Sequence, residues 1–190
     1  MRTLLLASGS PRRRALLKDL GVRFRVVSPR HGSEDPEPGE TPRHLAARLA
    51  REKAWSVSAI HPRDWVLSAD TVVALGDRVF GKPGNRVQAE GFLRALSGRT
   101  HHVMTGVVLA APGGRIAASH VETTFVTFRE LGAAERERYL LSGEAYDKAG
   151  GYALQGRALG WVRGFSGDYF NVVGLPLGWV AKRLSREKLL

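Results

Sequence analysis

The residues best suited to chemistry stand near the start of the chain. Ser8, Ser10, Arg12 and Arg13 lie together in Leu6-Ala7-Ser8-Gly9-Ser10-Pro11-Arg12-Arg13. Short hydroxyls there donate hydrogen bonds, and guanidinium forks grip phosphate oxygens two at a time. If this run joins a strand to a helix, free backbone N–H groups and the positive end of the helix dipole also favour an anion. The same residues make a capped helix with a solvated basic first turn, although arginine in that position opposes the dipole. A second centre is Asp70 in Ser68-Ala69-Asp70-Thr71-Val72-Val73. A carboxylate inside an apolar strand has to be paired, metal-bound or reactive, because burying it alone is costly. Beside a triphosphate it can bind magnesium or orient the attacking water as a general base. The alternative is a buried aspartate paired with an arginine, or a strand-end cap.

Other motifs carry less. Gly76-Asp77-Arg78-Val79-Phe80-Gly81-Lys82-Pro83 nearly matches a phosphate-cradling Walker A loop, but Pro83 replaces the hydroxyl residue that ligates magnesium. Val79-Phe80 also reads as a returning strand, so Lys82 is left as a point charge towards phosphate. His31, His44, His61, His101, His102 and His120 have no zinc-ligand spacing, and no serine lies in a nucleophile elbow. Ser142 to Gly156 is rich in glycine, which permits close approach of backbone to a ligand. The Gln155 amide there can pair with a base edge or a ribose. Taken alone, the segment reads as a glycine-rich connection closed by an Asp147-Lys148 salt bridge.

The positioning elements follow from pattern and punctuation. Leu4 to Ala7 reads as a buried strand, and Ser10-Pro11 caps a helix with Ala15, Leu16, Leu17 and Leu20 on its apolar face and Gly21 as its stop. Phe24, Val26 and Val27 suggest a second strand. Pro29 to Glu40 is a long aperiodic loop, and Thr41-Pro42 caps a helix carrying Leu45, Ala46, Leu49, Ala50 and Trp55 at roughly helical spacing. Trp65 to Leu75 is a β-branched strand that turns through Gly76-Asp77 into Arg78 to Phe80. A helix over Val87 to Leu96 precedes two long strands, His102 to Ala111 and Ile116 to Phe128, joined by Pro112-Gly113-Gly114. Further helices are expected near Ala133 to Leu141 and Pro176 to Leu184, with short strand-like pieces between turns from Gly143 to Gly178. Early alternation followed by a hairpin gives an α/β fold with a mixed sheet.

Composition sets the outer limits. At 190 residues, with 43% hydrophobic and 25% charged, the chain suits one domain or two closely packed lobes. The absence of cysteine excludes disulfides, thiolate catalysis, iron–sulfur clusters and cysteine zinc sites. The initial apolar run stops at Ala7, short of a secretory core, and no stretch approaches a membrane span, so a soluble cytoplasmic protein is expected. A net charge of +11 attracts polyanions, but the basic residues are scattered and only Arg12-Arg13-Arg14 form a run. Nucleic acid is therefore not expected as the main partner.

Eight stretches in order then resemble the Maf family of nucleotide pyrophosphatases, from residue 4 to about 180. They are Leu6 to Arg13, Arg51-Glu52-Lys53-Ala54, Ala69-Asp70-Thr71-Val72-Val73, Gly81-Lys82-Pro83, His102-Val103-Met104-Thr105-Gly106, Asp147-Lys148-Ala149-Gly150, Tyr152-Ala153-Leu154-Gln155-Gly156 and Val173-Gly174-Leu175-Pro176. The resemblance implies an inosine-triphosphate-pyrophosphatase-like architecture: an elongated mixed sheet flanked by helices, with two lobes and a central cleft, in a single domain over residues 1–190. It implies a divalent cation, magnesium or manganese, near Asp70 and Glu34. Asp70 becomes the proton acceptor that activates water for attack at the α-phosphate. Ser8, Arg12, Arg13, Lys53 and Lys82 hold the triphosphate, while Arg12, Thr71 and Gln155 help choose the base. Asp-Thr followed by a β-branched residue resembles the subgroup that cleaves dTTP and UTP rather than the one acting on 7-methyl-GTP. The family also implies a homodimer, and its association with septum formation leaves open a nucleotide- or nucleic-acid-binding regulator of cell division without turnover.

Overall fold

Leu4-Leu5-Leu6-Ala7 forms β1 (Leu4–Ala7) with all four side chains buried, as befits an apolar run covered on both faces of a sheet. The computed structural model describes residues 4–30 and 32–190. β1 lies between two parallel partners, β2 (Phe24–Val27) and β3 (Trp65–Leu75). The crossover from β1 to β2 is α1 (Pro11–Asp19), in which the Ser10 hydroxyl accepts from the Arg13 N–H and Pro11 takes the first position. The crossover to β3 is α2 (Pro42–Ser58), capped by Thr41. Beyond β3 the sheet turns antiparallel. The short β4 (Arg78–Phe80) folds back on the end of β3, and β5 (Thr100–Ala110), β6 (Ile116–Phe128) and β7 (Val162–Ser166) extend the sheet in the order β2-β1-β3-β5-β6-β7. The remaining helices are α3 (Arg86–Leu96), α4 (Ala133–Leu141), α5 (Tyr169–Val173) and α6 (Leu177–Arg186). This is the mixed α/β sheet with flanking helices that the pattern of elements indicates.

Strand alternation divides the core between the two faces. Leu4 and Leu6 point with Leu67 and Val107 towards Leu16 and Leu17 of α1 and Val180 and Leu184 of α6. Leu5, Ala7, Val66 and Val108 meet Ala50, Ala54 and Val57 of α2 on the other face. A separate cluster gathers Phe80, Phe92, Leu93, Phe128, Tyr139 and Trp161 around α3 and α4. Trp55 does not join the α2 stripe. It is 49% exposed with the Arg51 guanidinium over its ring, because the buried stripe runs through Ala50, Lys53, Ala54 and Val57 instead. β7 is one of the short strand-like pieces expected from Gly143 to Gly178, but Tyr169–Val173 in that stretch is the helix α5, started by the Asp168 carboxylate accepting the Phe170 N–H. No helix among the described residues is long and apolar enough to cross a membrane.

One irregularity of the sheet decides where a site can form. β1 pairs with β3 only as far as Ala7 opposite Ser68, and β4 begins pairing at Val73. Between them Ala69 to Val72 have no strand on that edge, although their other edge is fully paired with β5. A gap in an otherwise continuous sheet gives a cleft access to side chains from both faces of one strand.

Candidate active site

Asp70 and Thr71 occupy this gap and point to opposite faces of β3. Asp70 faces α2, which two local devices seat against the sheet. The Ser68 hydroxyl donates to the Ala50 carbonyl at 2.6 Å. Gly106, directly opposite Asp70 on β5, lets the helix backbone approach so closely that a Cβ there would lie 2.1 Å from the Ala46 carbonyl oxygen. Lys53 follows two turns along the same helix face, and its ammonium is hydrogen-bonded to Asp70 Oδ1. The same ammonium donates to Glu34 Oε1 at 2.7 Å, and Lys82 approaches Glu34 Oε2 at 3.4 Å. A chain of alternating charge therefore runs Lys82–Glu34–Lys53–Asp70. Glu34 belongs to the long loop before α2, which Arg48 clamps through Glu40 at 2.8 Å and the Asp35 carbonyl at 3.0 Å. The Arg48 fork holds the Glu40 carboxyl below the usual carboxylate range.

On the other face of the gap stands the junction of β1 and α1. Ser8 is buried, and its hydroxyl accepts from the Ser10 N–H at 3.2 Å and from Arg13 Nη1 at 3.3 Å. The Gly9 and Arg12 N–H groups find no protein acceptor among the described residues. Arg13 also donates to the Gly174 carbonyl at 2.8 Å and to Thr71 Oγ1 at 2.9 Å. Burial lowers its pKa, partly offset by the charge of Asp70. Arg12 is half-buried and lies 3.9 Å from Asp147.

Between these two walls is a cleft of about 520 Å³, within the usual size of small-molecule sites. Ser8, Arg12, Arg13, Glu34, Lys53, Asp70, Thr71, Lys82 and Gln155 all line it, so the structure brings every residue singled out in the sequence to one place. Details differ from expectation. The partner of Asp70 is Lys53 rather than an arginine, and Lys53 is engaged with two carboxylates. Three of the Arg13 N–H groups are taken by protein acceptors. Thr71 is bonded to Arg13 and Thr105. Gln155 is exposed at the rim, and the Asp147–Lys148 ion pair expected of the glycine-rich segment forms in the lining of the same cleft. Val79 and Phe80 are strand residues, which rules out a Walker A cradle. His101 is a core residue: it is bonded to the Tyr152 hydroxyl at 2.6 Å, and burial pushes its pKa down to about 4. Among the described residues no group of three or more histidines and acids could hold a metal unaided. Sequence reasoning missed Arg48, Thr105 and Asn171. A lysine within the apolar stripe of α2 was the available sign that Lys53 is paired.

The family model described as Maf, Maf-like protein, matches residues 3–187. A protein named dTTP/UTP pyrophosphatase from Myxococcus xanthus (strain DK1622) is 50% identical over 98% of this chain and 93% of its own. One of the same name from Koribacter versatilis (strain Ellin345) is 46% identical over 98% of this chain and 95% of its own. A solved nucleoside-triphosphatase / dITP/XTP pyrophosphatase from Mycobacterium abscessus covers 69% of this chain and 76% of its own at 18% identity, with a TM-score of 0.42. The last likeness is too distant to carry an argument.

Proposed function

The chain belongs to the Maf family, and from that premise we infer that it hydrolyses nucleoside triphosphates, dTTP and UTP foremost, to the monophosphate and pyrophosphate. The observation that carries this reading is a buried carboxylate, Asp70, in the floor of a cleft whose walls supply Arg12, Arg13, Lys53 and Lys82. Less the Asp70 and Glu34 carboxylates these four cations leave a net charge of +2, so a divalent cation is needed to approach the nearly four negative charges of a triphosphate. Hydroxyls and free N–H groups at the start of α1 add hydrogen bonds to its oxygens.

In the reaction a water oxygen bonds to the α-phosphorus while Asp70 takes its proton. The bridge from the α- to the β-phosphate breaks, and pyrophosphate leaves with the bridging oxygen. Asp70 Oδ1 is occupied by Lys53, so Oδ2 is the oxygen free to receive the proton. The cationic walls stabilise the charge that builds on the phosphoryl oxygens during attack. Glu34 and Asp70 offer hard carboxylate oxygens on one side of the cleft, a donor set that fits magnesium or manganese shared with substrate phosphates. Such an ion supplies charge neutralisation and Lewis acidity when bound. Lys53 keeps the two carboxylates together in the meantime. Gln155 at the rim contacts the base, and Thr71 supports pyrimidine selection. The reading carries with it a cytoplasmic homodimer.

A panel of nucleoside triphosphates with magnesium, assayed for pyrophosphate, tests it. Release from UTP and dTTP in preference to purine nucleotides is expected. No release from any nucleotide, together with salt-sensitive binding of DNA or RNA, would replace the enzyme with a binding regulator.

A further inference from the structure

Arginine carries five N–H hydrogens, and the three that Arg13 gives to protein are not scattered. Gly174 O takes Nε–H, Thr71 Oγ1 takes one on Nη2, and Ser8 Oγ takes one on Nη1. Behind Thr71 lies a chain that does not reach the cleft. Thr71 and Thr105 are directly opposed on β3 and β5, with their hydroxyls 2.9 Å apart. Thr105 donates its single hydrogen to the Asn171 carbonyl at 3.1 Å. Thr71 must therefore be the donor to Thr105, which leaves its oxygen to face Arg13 as an acceptor only. The hydrogen bonds all run one way, from Arg13 through Thr71 and Thr105 to the Asn171 carbonyl.

Asn171 anchors this chain. It is fully buried in α5, and its amide donates to the Val103 carbonyl at 2.9 Å and to Thr124 Oγ1 at 3.0 Å. Its backbone carbonyl, the acceptor of the Thr105 hydroxyl, also accepts the Gly174 N–H at 3.0 Å. Gly174, at φ 123°, makes the turn that aims its own carbonyl at Arg13. Two of the three acceptors on the guanidinium thus depend on the seating of Asn171. Thr105 and Asn171 do not line the cleft, and valine would suit the Thr105 strand position at least as well as threonine. We propose that Thr105 and Asn171 are positioning residues, which orient the Arg13 guanidinium through Thr71 so that its two remaining N–H groups are presented to the triphosphate.

The part of this inference that concerns catalysis rests on the hydrolase reading above; the orientation of Arg13 does not. The test compares Thr105→Val with Thr105→Ser, in the full chain. Nuclear magnetic resonance of the Arg13 guanidinium, assigned with Arg13→Lys, should show separate Nη hydrogens in the wild type. They should collapse into one averaged signal in Thr105→Val and reappear in Thr105→Ser. KM for dTTP should rise about tenfold in the valine variant, with kcat changing much less, and recover with serine. Should Thr105→Val fail to fold, Thr71→Val breaks the same chain one link nearer and must give the same averaged signal. Unchanged Arg13 resonances and KM in Thr105→Val overturn the proposal. A wild type that releases no pyrophosphate overturns the hydrolase reading instead, and the resonances still decide the relay.

Discussion

Lys53 and Asp70 face each other across the α2–β3 interface with only 6% and 7% of their surfaces exposed, and the Lys53 ammonium also reaches Glu34 at 2.7 Å. One cation thus gathers two carboxylates that would otherwise repel. Removing one partner of a buried pair leaves a charge without compensation, a loss of about 3 kcal/mol. Lys53→Met should lose that much stability in urea denaturation at neutral pH. Adding Asp70→Asn to it should restore most of the loss. A single variant as stable as the wild type would show that the pair contributes nothing to the fold.

Glu34 belongs to the same charge chain but is reached by the exposed ammonium of Lys82 from the open side. If it helps hold the divalent cation, Glu34→Gln should need about tenfold more magnesium for half-maximal pyrophosphate release. Chelation should abolish turnover of the wild type, and added magnesium should restore it. An identical magnesium titration in the variant removes Glu34 from the metal site.

At Gly106 the backbone of α2 lies directly against β5. A Cβ there meets the Ala46 carbonyl oxygen and carbon at 2.1 and 2.6 Å, and backbone cannot rotate away. Gly106→Ala should be destabilised by about 3 kcal/mol through overpacking. It should also lose activity, because the displaced helix carries Lys53 away from Asp70. Denaturation within 0.5 kcal/mol of the wild type, the usual scatter of neutral changes, would mean that the helix has slack the geometry does not show.

His101 makes a pH prediction. Its pKa is 6.5 in the unfolded chain and is pushed down to about 4 in the fold by burial. Between those values the unfolded chain binds a proton that the folded one refuses. Stability should therefore fall as pH drops from 6.5 towards 4 and be fully present above 6.5. His101→Asn lacks the titrating group, so its stability should decline less over that window, by at most about 1.4 kcal/mol per pH unit. Parallel urea midpoints at pH 7 and pH 5 check this, and equal declines would refute it.

Much of this was legible before the fold was known, for identifiable reasons. β1 and β3 are nearly continuous apolar runs, and Ser10-Pro11 and Thr41-Pro42 mark helix starts by side-chain chemistry that needs no tertiary partner. β7 is legible only as one of several short strand-like pieces without bounds: Val162-Arg163-Gly164-Phe165-Ser166 is mostly exposed on both faces, so burial imposes no alternation that would mark its ends. Its pairing with β6 is what makes it a strand. The candidate site residues stood out by type, yet their bonding did not. Thr105 and Asn171 are 66 positions apart, and a threonine among β-branched neighbours carries no sign that its hydroxyl is in use. A carboxylate at Asp70 calls for a partner by its type alone, but which cation supplies it depends on how Ser68 and Gly106 seat α2.

The most direct test of the central claim is hydrolysis of UTP or dTTP with magnesium in water enriched in heavy oxygen. Attack at the α-phosphorus places the label in the nucleoside monophosphate and leaves the pyrophosphate unlabelled. Asp70→Asn should bind the nucleotide almost as tightly as the wild type and turn over about 10²–10⁴-fold more slowly. Label in pyrophosphate or orthophosphate, or wild-type turnover by Asp70→Asn, would contradict it.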